Sequence, residues 1–181
     1  MEKLLWLDME MTGLNVETEV VIEVGAIVTD YHFNELDRYH SVLKQPQHYL
    51  DKMDDWNSKH HSESGLIALI PNGKPPEEVE QDLCQIIDRH FSKENRPIIA
   101  GNSIHQDRLF IDRYFKKLSG KLHYRMLDVS SWKVILKSKY GFDHKKQNRH
   151  RAVDDIEESI AELKAYLAFF GSNFNSGNAQ A

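Results

Sequence analysis

The run EVVIEVGAIV, residues 19–28, limits what this chain can fold into more than any other stretch. It is β-branched and nearly continuous in apolar residues, the pattern of a strand covered on both faces. Residues 3–9 and 38–44 read as two more strands, and the short connections among the three predict an antiparallel meander. A sheet covered on both sides needs helices, and the rest of the chain supplies them. PPEEVEQDLCQIIDRHF, 75–91, opens with prolines and acids and then sets Val79, Leu83, Ile86, Ile87 and Phe91 on one helical face. RPIIAGNS is a fourth strand ending in a glycine turn, and Ser103 is the predicted N-cap of a helix reaching about residue 118. YRMLDVS is a fifth strand, followed by a helix over 130–140. A last helix over 151–170 carries Ala152, Ile156, Ile160, Leu163, Leu167 and Phe170 at helical spacing. Residues 54–70 read as irregular or short helical structure. The prediction is an α/β fold: one domain over 1–171 built on a five-stranded mixed sheet flanked by helices, with 172–181 as a flexible tail.

Composition removes several function classes. No apolar run approaches the length of a membrane span, and the first residues lack the long apolar stretch of a secretory signal. The single cysteine, Cys84, excludes an intrachain disulfide, so a cytoplasmic protein is expected. The net charge of −5 argues against tight binding of long nucleic acid, although a short oligonucleotide needs only a few local contacts. No glycine-rich phosphate loop follows any strand.

The first strand ends in a contradiction. In LLWLDMEMTGL, residues 4–14, an apolar run is followed by Asp8 and Glu10, which share one face of the strand about 7 Å apart. Two like charges at such a place repel unless protonated or bridged by a cation, and carboxylate oxygens are the preferred ligands of hard divalent ions. Asp107 and Asp155 lie in the first turns of their helices, where acids are common because of the helix dipole. Spacing alone does not bring them to Asp8.

Three strings, LDMEMTGL, GNSIHQDRLFI and HRAVDDIEESIAEL, resemble the three motifs of the DEDDh branch of 3′→5′ exonucleases. Together with DDWNSKHHSESGL and HYRMLDVS they are similar, over nearly the whole chain to about residue 170, to the oligoribonuclease family within that branch. The resemblance implies a ribonuclease H-like sheet and a metal-dependent exoribonuclease that cuts very short oligoribonucleotides, dinucleotides especially, to 5′-mononucleotides. It assigns Asp8, Glu10, Asp107 and Asp155 as ligands of two Mg²⁺ or Mn²⁺ ions and His150 as general base, a role suited to an imidazole that titrates near neutrality. Asp154, Asp112 and Asp128 are the acids most easily mistaken for ligands.

The remaining motif residues imply a substrate clamp. Trp56 sits in a polar stretch with little local apolar company, and a base can stack on it. By resemblance, Leu14 lies on the other side of a base, and His61, Ser103, Tyr124, Arg125 and Ser130 contact the oligonucleotide. In that family the HYR element acts across a homodimer interface, which places Tyr124 and Arg125 near the partner's site. Lys133, Lys145 and Lys146 are candidate phosphate contacts. A DNA-directed exonuclease shares the catalytic residues, and a non-catalytic binding module would have lost one or more of them.

Overall fold

The computed structural model describes residues 2–144 and 151–177, with side chains described as far as Gly171. The meander forms first: β1 (Lys3–Met11), β2 (Val21–Asp30) and β3 (Glu35–Val42) pair antiparallel. Short helices α1 (Gln47–Leu50), α2 (Asp55–Glu63) and α3 (Leu66–Leu69) and a 3₁₀ turn (Ile70–Asn72) lead to the amphipathic α4 (Pro76–His90). β4 (Ile98–Gly101) then joins β1 in parallel. After α5 (Ile104–Tyr114) and α6 (Lys116–Lys121), β5 (Met126–Asp128) pairs parallel to β4. α7 (Val129–Tyr140) and α8 (Ala152–Gly177) complete the chain. The result is the mixed five-stranded sheet expected, in the order β3-β2-β1-β4-β5.

Strand alternation divides the core. Leu5, Leu7, Met9 and Met11 of β1 pack with Val79, Leu83 and Ile87 of α4 and Phe110 and Ile111 of α5. Leu4 and Trp6 face the other way, with Ile27 of β2, Leu136 of α7 and Ile156, Leu163 and Tyr166 of α8. Trp6 is fully buried, and its Nε1–H donates to Thr29 Oγ1 at 3.0 Å. Continuing the alternation, Asp8 and Glu10 belong to the α8 side of the sheet, where the apolar pattern stops.

Three local predictions differ from the structure. The helix expected to run from Ser103 to residue 118 breaks at Phe115, which turns its ring into the core at 1% exposure and divides α5 from α6. Ser103 does not cap α5 through its side chain; its backbone is left-handed at φ 51°. The last helix continues to Gly177, past residue 171, because no proline stops hydrogen-bond propagation where the apolar periodicity ends. Among the described residues, no helix is long and apolar enough to cross a membrane.

Candidate active site

The carboxylates of Asp8, Glu10 and Asp155 each offer an oxygen within 4.8 Å of the others. β1 contributes the first two at its C-terminal end. The first turn of α8 lays the third over them, although 145 residues separate Asp155 from Glu10 in the chain. Asp107 stands one step behind. Its helix α5 leaves the sheet from the end of β4, beside β1, and its Oδ1 accepts the N–H of Met9, the residue between the two β1 acids, at 2.9 Å. Asp107 is 5% exposed, and its charge is felt at Glu10.

Such a concentration of acid is costly without a counter-charge. Burial, then the charges of Asp155, Glu23 and Asp107, push Glu10 up to about 8, against a partial offset from Arg151. Burial likewise raises Asp107 well above the carboxylate range despite the Met9 hydrogen bond. A group that binds its proton more tightly folded than unfolded makes stability fall as pH rises between the two pKa values. The metal-free protein is therefore expected to lose roughly 3 kcal/mol between pH 5 and pH 8 from Glu10 alone. Carboxylates whose pKa is lowered, such as Asp37 and Asp82, act below that window. Urea denaturation in chelator at the two pH values checks the sign; Mn²⁺ is expected to reverse the trend, because it competes with those protons.

The other acids have different occupations. Asp112 accepts from Arg108 at 3.0 Å and from Ser119 at 2.5 Å, away from the cluster. Asp128 accepts the N–H groups of Ser130 at 2.9 Å and Ser103 at 3.0 Å, joining the start of α7 to the start of α5. Asp154 lines a different hollow with Arg38, His40 and Arg151.

Around this centre the clamp residues take two kinds of position. Trp56 and Leu14 are 58% and 72% exposed, large apolar surfaces that the fold leaves in solvent. Trp56 stacks on His60 with ring centroids 3.9 Å apart. The Leu14 carbonyl accepts from Gln106 of α5 at 2.7 Å, which fixes the turn after β1. His61 is instead buried: its Nε2 bonds the Met11 carbonyl at 2.9 Å, and its Nδ1 lies 4.0 Å from a Glu10 oxygen, so it ties α2 to the end of β1. Ser130 Oγ accepts the Ser103 N–H at 3.0 Å and donates to Asn102 Oδ1 at 3.1 Å. Tyr124 is 75% exposed just before the edge strand β5, with the Arg125 guanidinium 5.4 Å from its ring centre. Lys133 lies on α7. His150, Lys145 and Lys146 lie outside the described residues.

Two polar groups escaped the sequence reading. Asn102 donates to Ser159 Oγ at 2.7 Å and Glu162 Oε2 at 3.0 Å, linking the Ser103–Ser130 pair to α8; an asparagine after a glycine turn gives no hint of this. Glu23 is fully buried, and its signal was visible: a lone charge inside EVVIEVGAIV.

Comparison with known proteins identifies the family. A family model described as Exonuclease (RNase T) matches residues 5–163. An oligoribonuclease of Chromobacterium violaceum is 43% identical over 92% of this chain and 94% of its own. The human mitochondrial oligoribonuclease is 36% identical over 91% of this chain and 72% of its own. Among solved structures, E. coli exonuclease I in complex with a dT13 oligonucleotide superposes with a TM-score of 0.67 at 15% identity. It shares the fold over 97% of this chain, which spans 43% of that larger protein. A match over most of the chain at this identity settles the family: the chain belongs to the exonucleases of the RNase T type, and within them to the oligoribonucleases.

Proposed function

We propose that the chain is a metal-dependent 3′→5′ exoribonuclease that hydrolyses very short oligoribonucleotides, dinucleotides above all, releasing 5′-mononucleotides. The convergence of Asp8, Glu10 and Asp155 within 4.8 Å, with Asp107 behind them, carries this reading. A carboxylate such as Glu10, held above its ordinary pKa by burial and then by neighbouring negative charge, suits a divalent cation, and oxygen-only donors suit Mg²⁺ or Mn²⁺. The four acids would hold two ions, which when bound supply an activated water and stabilise the departing 3′ oxygen.

The protein's own groups do the rest. His150 takes the proton of the attacking water. Trp56 and Leu14 sandwich a base, a contact indifferent to sequence and worth about 1–3 kcal/mol. The hydroxyls of Ser103 and Ser130 meet a phosphate. In a homodimer, the exposed edge at β5 lets Tyr124 and Arg125 reach the partner's site and close off the far end of the substrate, which excludes long chains. One exonuclease domain over 1–171 accounts for all these groups, in an enzyme of the cytoplasm.

Ser103 gives a separate check. A non-glycine residue at φ 51° costs about 1 kcal/mol, strain that a purely structural position would shed by becoming glycine. Ser103→Gly is expected to raise stability by about 0.5–1 kcal/mol while weakening dinucleotide binding about tenfold through loss of the hydroxyl. Denaturation and KM measured on one preparation test both halves.

The function is tested with matched ribo- and deoxyribo-oligomers of two to seven residues, with Mn²⁺ and with chelator. Fastest cleavage of the ribo-dinucleotide, only with metal, is expected. Equal or faster cleavage of the deoxy series would make it a DNA-directed exonuclease; metal-independent binding without cleavage would make it a binding module.

A further inference from the structure

Why does Asp155 arrive over Asp8 and Glu10 at all? The answer lies on β2, which none of the four acids occupies. In the antiparallel register, Gly25 pairs with Asp8 and Glu23 with Glu10, and directly paired residues share a face of the sheet. Glu23 and Gly25 therefore point to the same side as the two β1 acids, the side on which α8 packs.

Each meets the first turn of α8. A Cβ on Gly25 would lie 3.0 Å from the Ala152 carbonyl carbon, 3.0 Å from the Val153 nitrogen and 3.1 Å from Ile156 Cδ1, so the helix backbone rests directly on this glycine. Glu23, at 0% exposure, closes the start of the helix. Its Oε2 accepts the Ala152 N–H at 3.1 Å, and its Oε1 accepts Arg151 Nε at 2.8 Å and Nη2 at 2.6 Å. His40 of β3 meets the same oxygen at 2.7 Å. The Arg151 carbonyl in turn accepts the Asp155 N–H at 2.9 Å, the first hydrogen bond of the turn that carries the carboxylate. The first helical N–H groups have no partner within a helix, and an acid placed there also complements the dipole. Here the capping acid comes from another element, a strand 129 residues earlier than Ala152.

We propose that Glu23 is a positioning residue for the metal site: as a cap supplied from β2, seated beside Gly25, it fixes the axial position and rotation of the first turn of α8 and so sets Asp155 against Asp8 and Glu10. This rests on the metal-site reading above. A buried ion pair with no such task is replaceable by apolar residues at little cost to stability. A cap that places a ligand is not, since supporting groups behind metal ligands typically account for 10–100-fold in affinity.

Mn²⁺ binding, followed by loss of the free-ion spin-resonance signal, tests this on the full chain. Wild type and Asp155→Asn come first: if wild type takes up no Mn²⁺, the metal-site reading fails and not the cap. With wild-type binding established, Glu23→Gln is expected to weaken Mn²⁺ 10–100-fold and to speed hydrogen exchange of the Ala152 and Asp155 amides in metal-free protein. A misplaced ligand is still a ligand, so excess Mn²⁺ is expected to restore most of kcat in Glu23→Gln but none in Asp155→Asn, with dinucleotide KM within twofold of wild type. Gly25→Ala leaves every charge in place and lifts the same turn; it is expected to weaken Mn²⁺ at least tenfold and decides the matter if Glu23→Gln does not fold. Wild-type Mn²⁺ affinity in a folded Glu23→Gln, or in Gly25→Ala, overturns the proposal.

Discussion

Asp155→Asn is expected to lower dinucleotide turnover on the order of 10³-fold while making the metal-free protein more stable. The two effects have one cause. Asp155 is the largest charge contribution to the raised pKa of Glu10, and it lies with Asp8 and Glu10 inside a 4.8 Å cluster. Replacing it with a neutral amide of the same shape relieves that repulsion, on the order of 3–4 kcal/mol for like charges about 4–5 Å apart at an effective dielectric near 20. On the metal-site reading, the same substitution removes one of the carboxylate oxygens that would hold the ions, and loss of one such preorganised electrostatic group costs about 10²–10³ in rate. Function held against stability is characteristic of a site built for an absent counter-charge. Denaturation in chelator and single-turnover cleavage in Mn²⁺ measure the two arms. Loss of activity with loss of stability would assign Asp155 an ordinary capping role at the helix start.

His150→Ala is expected to separate the other way: turnover down by about 10²–10⁴, the usual contribution of a positioned general base, with Mn²⁺ affinity within twofold of wild type. In the sequence the histidine immediately precedes Arg151, whose guanidinium donates to Glu23. The pH profile adds a second readout. Wild-type activity is expected to fall below the imidazole pKa as the base becomes protonated, and the residual activity of the variant is expected to lose that limb. Equal loss of Mn²⁺ affinity and rate would make His150 a ligand instead.

What could be read from the chain differed by element. The β-branched run of β2 and the apolar faces of α4 and α8 declare their burial through period, because side chains on them meet a continuous core. The first two acids were legible as a contradiction between an apolar strand and paired charge. Their convergence with Asp107 and Asp155 was not, since it depends on how far α5 and α8 slide along the sheet, and that is fixed by contacts distant in sequence: Met9 N–H to Asp107, Ala152 N–H to Glu23. Only the family strings bridged that gap. The break at Phe115 was hidden for a similar reason, a single ring finding room in the core. His61 shows the limit of motif reading. The string places it near the site, but only the fold shows its ring turned inward onto Met11 and Glu10.

The most direct test of the central claim is anomalous diffraction from crystals of the full chain grown with Mn²⁺ and a non-hydrolysable ribo-dinucleotide. Two Mn²⁺ peaks about 3.5–4 Å apart, bounded by Asp8, Glu10, Asp107 and Asp155 and touching the scissile phosphate, are the expected result. Ions bound elsewhere, or a dinucleotide seated with its phosphate away from these four carboxylates, would contradict it.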